Sequence, residues 1–362
     1  RLARQPSRAP WKRTRRWDPR NRTVGPSRHR PPEWAPHEAT WMGFPRDSYK
    51  DSGLTRETAQ RAWARVANHI SDYERVRMLC HSDDLAIAKQ YLSAAIECIP
   101  AALNDAWLRD IGPTFVVEEG TLLAIDWQFN GWGHNTELDW SLDDQIAAII
   151  AQQLNIRLER SFIVNEGGGI HVSGSDWVLL TETVQLDPQR NPNCHRDDVT
   201  QQIHDLLGTQ HAIWLSKGLW RDNFLNGTKG HVDIVACFTP DGRVLLHQQQ
   251  NHTHPDHALW PELVAPIEAA GFEVIPLPAP TTLRDNRDWV DYSYINHYVC
   301  NGAVLCPSFH DRCDDMAREI VTEVYPGRDI LMVESRELFA MGGGIHCITQ
   351  QQPQHPVQTP LY

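Results

Sequence analysis

Gly342-Gly343-Gly344-Ile345-His346-Cys347-Ile348-Thr349-Gln350 lies near the end of this 362-residue chain, and its first five residues repeat an earlier stretch, Gly167-Gly168-Gly169-Ile170-His171. Three consecutive glycines let a backbone turn sharply and approach another group closely, at a cost in chain entropy. In the later copy a cysteine follows the turn; in the earlier one Val172 stands in its place. One architectural element used twice and armed once predicts a fold of repeated units in which Cys347 is presented as a nucleophile.

Outward from these stretches the chain alternates short strands with amphipathic helices. Helices are predicted over 55–70, 142–154, 196–207, 261–270 and 314–324. Strands are predicted over 76–79, 114–117, 122–125, 178–180, 234–238, 244–246, 273–275, 303–306 and 330–333. Ser141 with Asp143 and Asp144 forms an N-terminal helix signal, and Pro326-Gly327 a stop. The helices recur every 50 to 90 residues or so, each among two or three strands, which predicts an α/β protein in a radial or solenoid arrangement. No Pro-rich or Gly/Ser linker interrupts residues 33–362, which are expected to form one domain with internal pseudo-symmetry. Residues 1–32, rich in Arg, Pro and Ser without an apolar stretch, read as a disordered basic extension rather than a secretory signal.

The net charge of −12 hides an asymmetry. Residues 1–32 hold 11 of the 34 Lys and Arg and one acid, Asp18, which leaves 23 basic and 45 acidic residues in the body. An acidic body suits a small cationic ligand and disfavours nucleic acid. No apolar run approaches the roughly 18 residues needed to span a bilayer, so no membrane partner is expected. The eight cysteines include no CxxC pair, and several sit in apolar strand-like runs. Reduced, buried thiols of this kind point to a cytoplasmic protein.

Four segments can carry chemistry. Asn104 to Pro113 places Asp110 and Arg109 just before a strand. Asn165-Glu166 precedes the first glycine turn, a place for a partly buried carboxylate. In Gly230-His231-Val232-Asp233, running into a strand, His231 and Asp233 are expected on one face. The fourth segment is that of Cys347. Cys347 and His231 combine a nucleophile with a proton carrier, and Asp110 and Asp233 are two carboxylates that need a cation between them. A guanidinium offers five N–H donors in a planar fork and pairs bidentately with carboxylate. Zinc is the competing cation, but no His-x-x-x-His or Cys-x-x-Cys spacing supports it.

Glu33-Trp34-Ala35-Pro36-His37-Glu38-Ala39-Thr40-Trp41-Met42, Trp107-Leu108-Arg109-Asp110-Ile111-Gly112-Pro113, Glu166-Gly167-Gly168, Gly230-His231-Val232-Asp233 and Ile345-His346-Cys347-Ile348-Thr349-Gln350-Gln351-Gln352-Pro353 together resemble the agmatine deiminase branch of the bacterial-type peptidylarginine deiminase family. The resemblance runs in order over nearly the whole body. It implies the pentein fold, an α/β-propeller of five ββαβ-like units with pseudo-fivefold symmetry around a central channel. It also implies hydrolysis of agmatine to N-carbamoylputrescine and ammonia, in polyamine synthesis, with no metal or organic cofactor. Residue by residue, Cys347 matches the nucleophile, His231 the general acid/base, and Asp110 and Asp233 the carboxylates that hold the guanidinium. Glu166 matches an acid supporting the histidine or the substrate; Trp107, Asn296 and Gly344 match positions lining the substrate. Lys229 and Gly344 stand where the family has Asn, and Phe44 where Trp is common. Lys229 leaves open a deiminase of peptidyl-arginine, free arginine or another guanidine, for whose carboxylate Arg109, Arg221 and Lys229 are candidate partners. Amidinotransfer and a non-enzymatic binding protein on the same scaffold are further alternatives. The oligomeric state, homodimer or higher, is not written in the sequence.

Overall fold

The computed structural model describes residues 28–46, 52–224 and 226–355. Their strands form five sheets. One of the sheets shows the plan that recurs. Ala236–Phe238 pairs antiparallel with Val244–Gln248, the helix Trp260–Ala269 crosses over, and Val274–Pro278 returns parallel to Val244–Gln248. The same order runs through Thr114–Glu118, Thr121–Gln128, the helix Ile146–Leu154 and Arg157–Val164. It runs again through His171–Val172, Trp177–Thr181, the helix Arg196–Leu207 and His211–Leu215. A fourth instance is Tyr298–Cys300, Ala303–Ser308, the helix Asp314–Val324 and Asp329–Glu334. The fifth sheet joins the ends of the body: Gln350–Pro353 pairs antiparallel with His37–Gly43, the helix Arg56–Ser71 follows, and Val76–Cys80 lies parallel.

Local sequence explains these elements. In Arg56–Ser71, Ala59, Trp63, Val66, Ala67 and Ile70 are buried at helical spacing, and the Thr55 side chain accepts the Thr58 N–H at 3.1 Å. Arg196–Leu207 starts with a capping box between His195 and Asp198 and ends at Gly208 in the left-handed region. Ala303–Ser308 is buried along its whole length, as a strand covered on both faces must be. Four apolar clusters fill the interior; the one around Trp41, Trp63 and Met78 reaches Trp107 and Cys347.

Three expectations are corrected. The helix foreseen from residue 142 opens as a 3-10 turn, Asp143–Gln145, with no side-chain cap, and the α-helix proper is Ile146–Leu154. The Asp143 carboxylate is drawn away to accept the N–H groups of Asn104 at 2.8 Å and Asp105 at 3.1 Å. His231 and Asp233 are not on a strand: Val232–Ile234 is a 3-10 turn, and the strand begins at Ala236. The ordered body begins before Glu33. Arg28–His29 pairs antiparallel with Thr114–Glu118, and the buried Arg30 donates its N–H to Leu207 O at 2.9 Å. The rest of the basic extension, residues 1–27, lies outside the described residues. Among the described residues no helix is long and apolar enough to cross a membrane.

Candidate active site

Each strand–strand–helix–strand unit places one chemical segment immediately ahead of its first strand. Asp110, in the short helix Leu108–Ile111, precedes Thr114–Glu118; Glu166 precedes His171–Val172. His231 and Asp233 precede Ala236–Phe238, Asn296 precedes Tyr298–Cys300, and Cys347 precedes Gln350–Pro353. Residues more than 230 positions apart in the chain therefore meet in one place.

A Cβ built on Gly168 marks the meeting point: it would lie 2.5 Å from His231 Nδ1 and 3.0 Å from both Asp110 Oδ1 and Asp233 Oδ2. The Cys347 Sγ lies 3.7 Å from Asp233 Oδ2, and Asn296 Nδ2 approaches it at 3.3 Å. Asp110 Oδ1 accepts the Gly168 N–H at 3.1 Å, and Oδ2 accepts the Trp132 indole N–H at 3.0 Å. His231 Nδ1 points toward Asp110 Oδ1 at 3.7 Å, and its Nε2 meets Glu166 Oε2 at 3.1 Å. Glu166 is fully buried, not partly, and Arg190 Nε donates to it at 3.0 Å. Asp233 Oδ2 is held by His346 Nδ1 at 2.7 Å, while His346 Nε2 meets Glu33 Oε2 at 2.8 Å. Two atoms in the cluster are buried without a hydrogen-bond partner, His231 Nδ1 and Asp233 Oδ1. Orphaned buried polar atoms are costly and are found where a ligand supplies the missing partner.

The charges follow from this packing. Burial pushes the Asp110 carboxyl up to about 6, with His231 opposing and Asp233 and Glu166 reinforcing. Burial also works against a charged His231, but Asp110, Glu166 and Asp233 outweigh it and raise the imidazole to about 9. Against the same burial penalty, the Arg190 charge and the His231 hydrogen bond hold Glu166 down at about 2. Burial would raise Asp233 as well; its hydrogen bond from His346, with the His346 and His231 charges, keeps it below the usual carboxylate range. Burial first, then Asp233 and Asp110, hold the Cys347 thiol well above its ordinary value. The site thus rests as an imidazolium, a neutral thiol and an excess of carboxylate. A cation entering between the carboxylates removes the charge that keeps the thiol protonated.

A cavity of about 400 Å³ opens onto Asp110 and Cys347, with Trp107, Trp132, Trp220 and Phe339 in its wall. Gly344 lies behind the nucleophile instead: a Cβ there would run into Asn296 and 2.8 Å from the Phe339 ring. Two candidate carboxylate partners face elsewhere. Arg109 is fully buried, donating to Gln351 Oε1 at 2.7 Å and to Glu33 Oε2 at 3.3 Å. Lys229 Nζ is bound to Asp187 Oδ2 at 2.8 Å and to Gly133 O at 3.1 Å. Arg221 does line the cavity, but its Nη1 is occupied by Asp285 Oδ2 at 2.9 Å and Trp289 O at 3.0 Å. Sequence reasoning missed Arg190, His346, Glu33 and Trp132 as members of the site. For Trp132 the available signal was its place between Gly131 and Gly133, which lets the backbone adopt positive φ there. Among the described residues no group of three or more His, Cys, Asp or Glu is arranged to hold a metal ion.

Residues 29–353 match the family described as Porphyromonas-type peptidyl-arginine deiminase. A Streptomyces coelicolor relative is 46% identical over 332 residues, covering 89% of this chain and 98% of its own length. The agmatine deiminase of Stutzerimonas stutzeri is 35% identical over 361 residues, covering 89% of this chain and 95% of its own length. The solved structure of the agmatine deiminase of Enterococcus faecalis superposes with a TM-score of 0.84 at 29% identity, covering 92% of this chain and 99% of that one.

Proposed function

The chain belongs to the Porphyromonas-type peptidyl-arginine deiminase family, and from that premise we propose that it is a hydrolase of guanidino C–N bonds that converts agmatine to N-carbamoylputrescine and ammonia. The observation that carries the reading is the orphaned buried acceptor Asp233 Oδ1, grouped with Asp110 and the Cys347 thiol where a planar cation would be held, with the unpartnered His231 Nδ1 beside it free for proton transfer. The five recurring strand–strand–helix–strand units, each lending a segment to one site, support a pentein propeller of pseudo-fivefold symmetry in which the body, with Arg28–His29 joined to one of its sheets, is one domain. Function in the cytoplasm, in putrescine synthesis, is part of the same proposal.

Asp110 and Asp233 bind the guanidinium and spread its charge. Its entry lowers the thiol pKa, Cys347 releases its proton to solvent through the cavity that opens onto it, and the thiolate attacks the central carbon. The neutral tetrahedral adduct receives a proton from the His231 imidazolium on one nitrogen, the C–N bond breaks, and ammonia leaves. A cationic S-alkylthiouronium remains on Cys347. Neutral His231 then takes a proton from water as the water oxygen bonds to carbon, and the second adduct collapses as its hydroxyl proton passes to the departing sulfur, giving the ureido product, the Cys347 thiol and the His231 imidazolium again. An imidazole raised to about 9 is suited to this order, acid before base. Glu166, clamped by Arg190, holds the ring at Nε2 and leaves Nδ1 for the reacting atoms. Asn296 steadies the sulfur, and Trp107 lines the substrate channel.

The engagement of Lys229 with Asp187 and of the buried Arg109 with Glu33 and Gln351 favours agmatine over arginine, whose carboxylate would lack an unoccupied partner there. Ammonia release measured across agmatine, arginine and a blocked peptidyl-arginine tests the proposal. Agmatine is expected to be turned over fastest; preference for either arginine compound would replace it.

A further inference from the structure

The cavity that reaches Cys347 is lined by four more carboxylates, Asp105, Asp222, Asp288 and Asp291. Three have work already. Asp105 Oδ1 accepts the Ala106 N–H at 2.8 Å. Asp222 Oδ1 accepts the Thr228 N–H at 2.7 Å, and its Oδ2 accepts the N–H groups of Gly230 at 2.7 Å and His231 at 3.2 Å. Asp288 Oδ1 takes Arg284 Nη1 and the Trp289 N–H, at 2.9 and 2.8 Å. Asp291 differs: among the described residues its carboxylate accepts no hydrogen bond from any other residue. The two cations on the same wall do not serve it. Arg221 is held by Asp285 and Trp289 O, and Arg287 donates to Ala340 O.

We propose that Asp291 is a specificity-determining residue, the receiver of a second cationic group carried by the guanidine substrate, a primary ammonium at the far end of an alkyl chain. The inference rests on the deiminase reading above. An ionised carboxylate is acceptor-only and an ammonium donor-only, so each satisfies the other. Trp107, Trp220 and Phe339 in the same wall offer apolar faces to the intervening methylenes. Burial, then the neighbouring Asp222, push the Asp291 carboxyl up to about 7 against the pull of Arg221, the condition of an acid short of cationic company. Free arginine brings the same ammonium but also an α-carboxylate, which would meet repulsion at this point and disfavours it against agmatine.

The test compares agmatine with 1-butylguanidine, which has the same chain and lacks the ammonium, in the unmodified enzyme and in Asp291→Asn. The ratio of their kcat/KM values is expected to fall at least about tenfold in the variant, the loss of a charge-assisted hydrogen bond. The loss should appear in KM for agmatine, with butylguanidine kinetics unchanged and Asp291→Glu recovering part of the preference. An unchanged ratio with agmatine still turned over overturns this inference alone. An equal loss on both substrates also overturns it, because Asp291 would then act through the structure of the site. Failure of the unmodified enzyme to turn over agmatine while it accepts butylguanidine or arginine overturns the reaction assignment and this inference together.

Discussion

Gly167-Gly168-Gly169-Ile170-His171 and Gly342-Gly343-Gly344-Ile345-His346 are the same five residues put to different ends. In the first, the glycines form a 3-10 turn and His171 enters a strand; in the second, Gly342 sits at φ 124° and His346 opens a 3-10 turn. His171 Nδ1 accepts the Phe238 N–H at 3.2 Å, and burial lowers this imidazole to about 3, so it is neutral. His346 meets the same burial penalty and a repulsive Arg109, yet Glu33 and Asp233 raise its pKa. The glycines differ too. Gly168 leaves open the space between His231, Asp110 and Asp233, whereas Gly343 lets Cys347 pack beneath Trp107. Identical local sequence thus yields an open space between a histidine and two aspartates in one place and the mount of a buried cysteine in the other, because different neighbours close on each.

The sharpest way to break this contrast is to disarm the second copy. Cys347→Ser should lower ammonia release by about four orders of magnitude or more while agmatine still binds, as followed by calorimetric titration. Normal turnover would remove Cys347 from the chemistry. Next in size is a methyl group in the first copy. Gly168→Ala should cost at least about a hundredfold in kcat/KM, because its Cβ occupies the space between His231, Asp110 and Asp233. Gly169→Ala, whose Cβ would meet only side-chain atoms at 3.1 to 3.2 Å, should cost far less. Equal losses would mean that the turn, and not the open space, is what glycine provides.

The two histidines offer a gentler test. His346→Gln removes the cation that holds Asp233 Oδ2 and should lower kcat/KM by about 10 to 100-fold, mainly through weaker substrate binding. His171→Gln should leave kinetics within about twofold, since a neutral ring away from the substrate exerts no charge on it. The smallest effect is a shift in pH dependence. His231 is raised above its ordinary 6.5 to about 9, so its stabilising contribution is complete below about 6.5 and is lost as pH rises through 9. The alkaline limb of kcat/KM should lie near 9 and move about one unit lower in Glu166→Gln, where an attractive charge is gone. An unmoved limb would show that Glu166 does not hold the imidazolium.

What was legible in the sequence follows the reach of the forces involved. The helices over 196–207 and 314–324 were foreseen to the residue, because capping boxes, stop glycines and periodic apolar residues act over a single turn. The helix over 142–154 was misjudged at its start, because Asp143 answers to Asn104 and Asp105, far away in sequence. Arg109 reads in the sequence as a candidate partner for a substrate carboxylate. In the fold it lies across the interior against Glu33 and Gln351, which carry no mark in the sequence of meeting it.

By itself the sequence determined the type of chemistry: one armed glycine turn, a histidine and two aspartates in recognisable company, and an acidic body that calls for a cation. Tertiary structure alone decided which acids are free to receive that cation. Glu166 is taken by Arg190, Asp222 by backbone N–H groups, and Lys229 is turned away onto Asp187, while Asp233 Oδ1 and the Asp291 carboxylate are left open. The reason is physical: a residue's type is written in its codon, but its charge state and unmet hydrogen bonds are set by burial and by neighbours that only folding brings within a few ångströms.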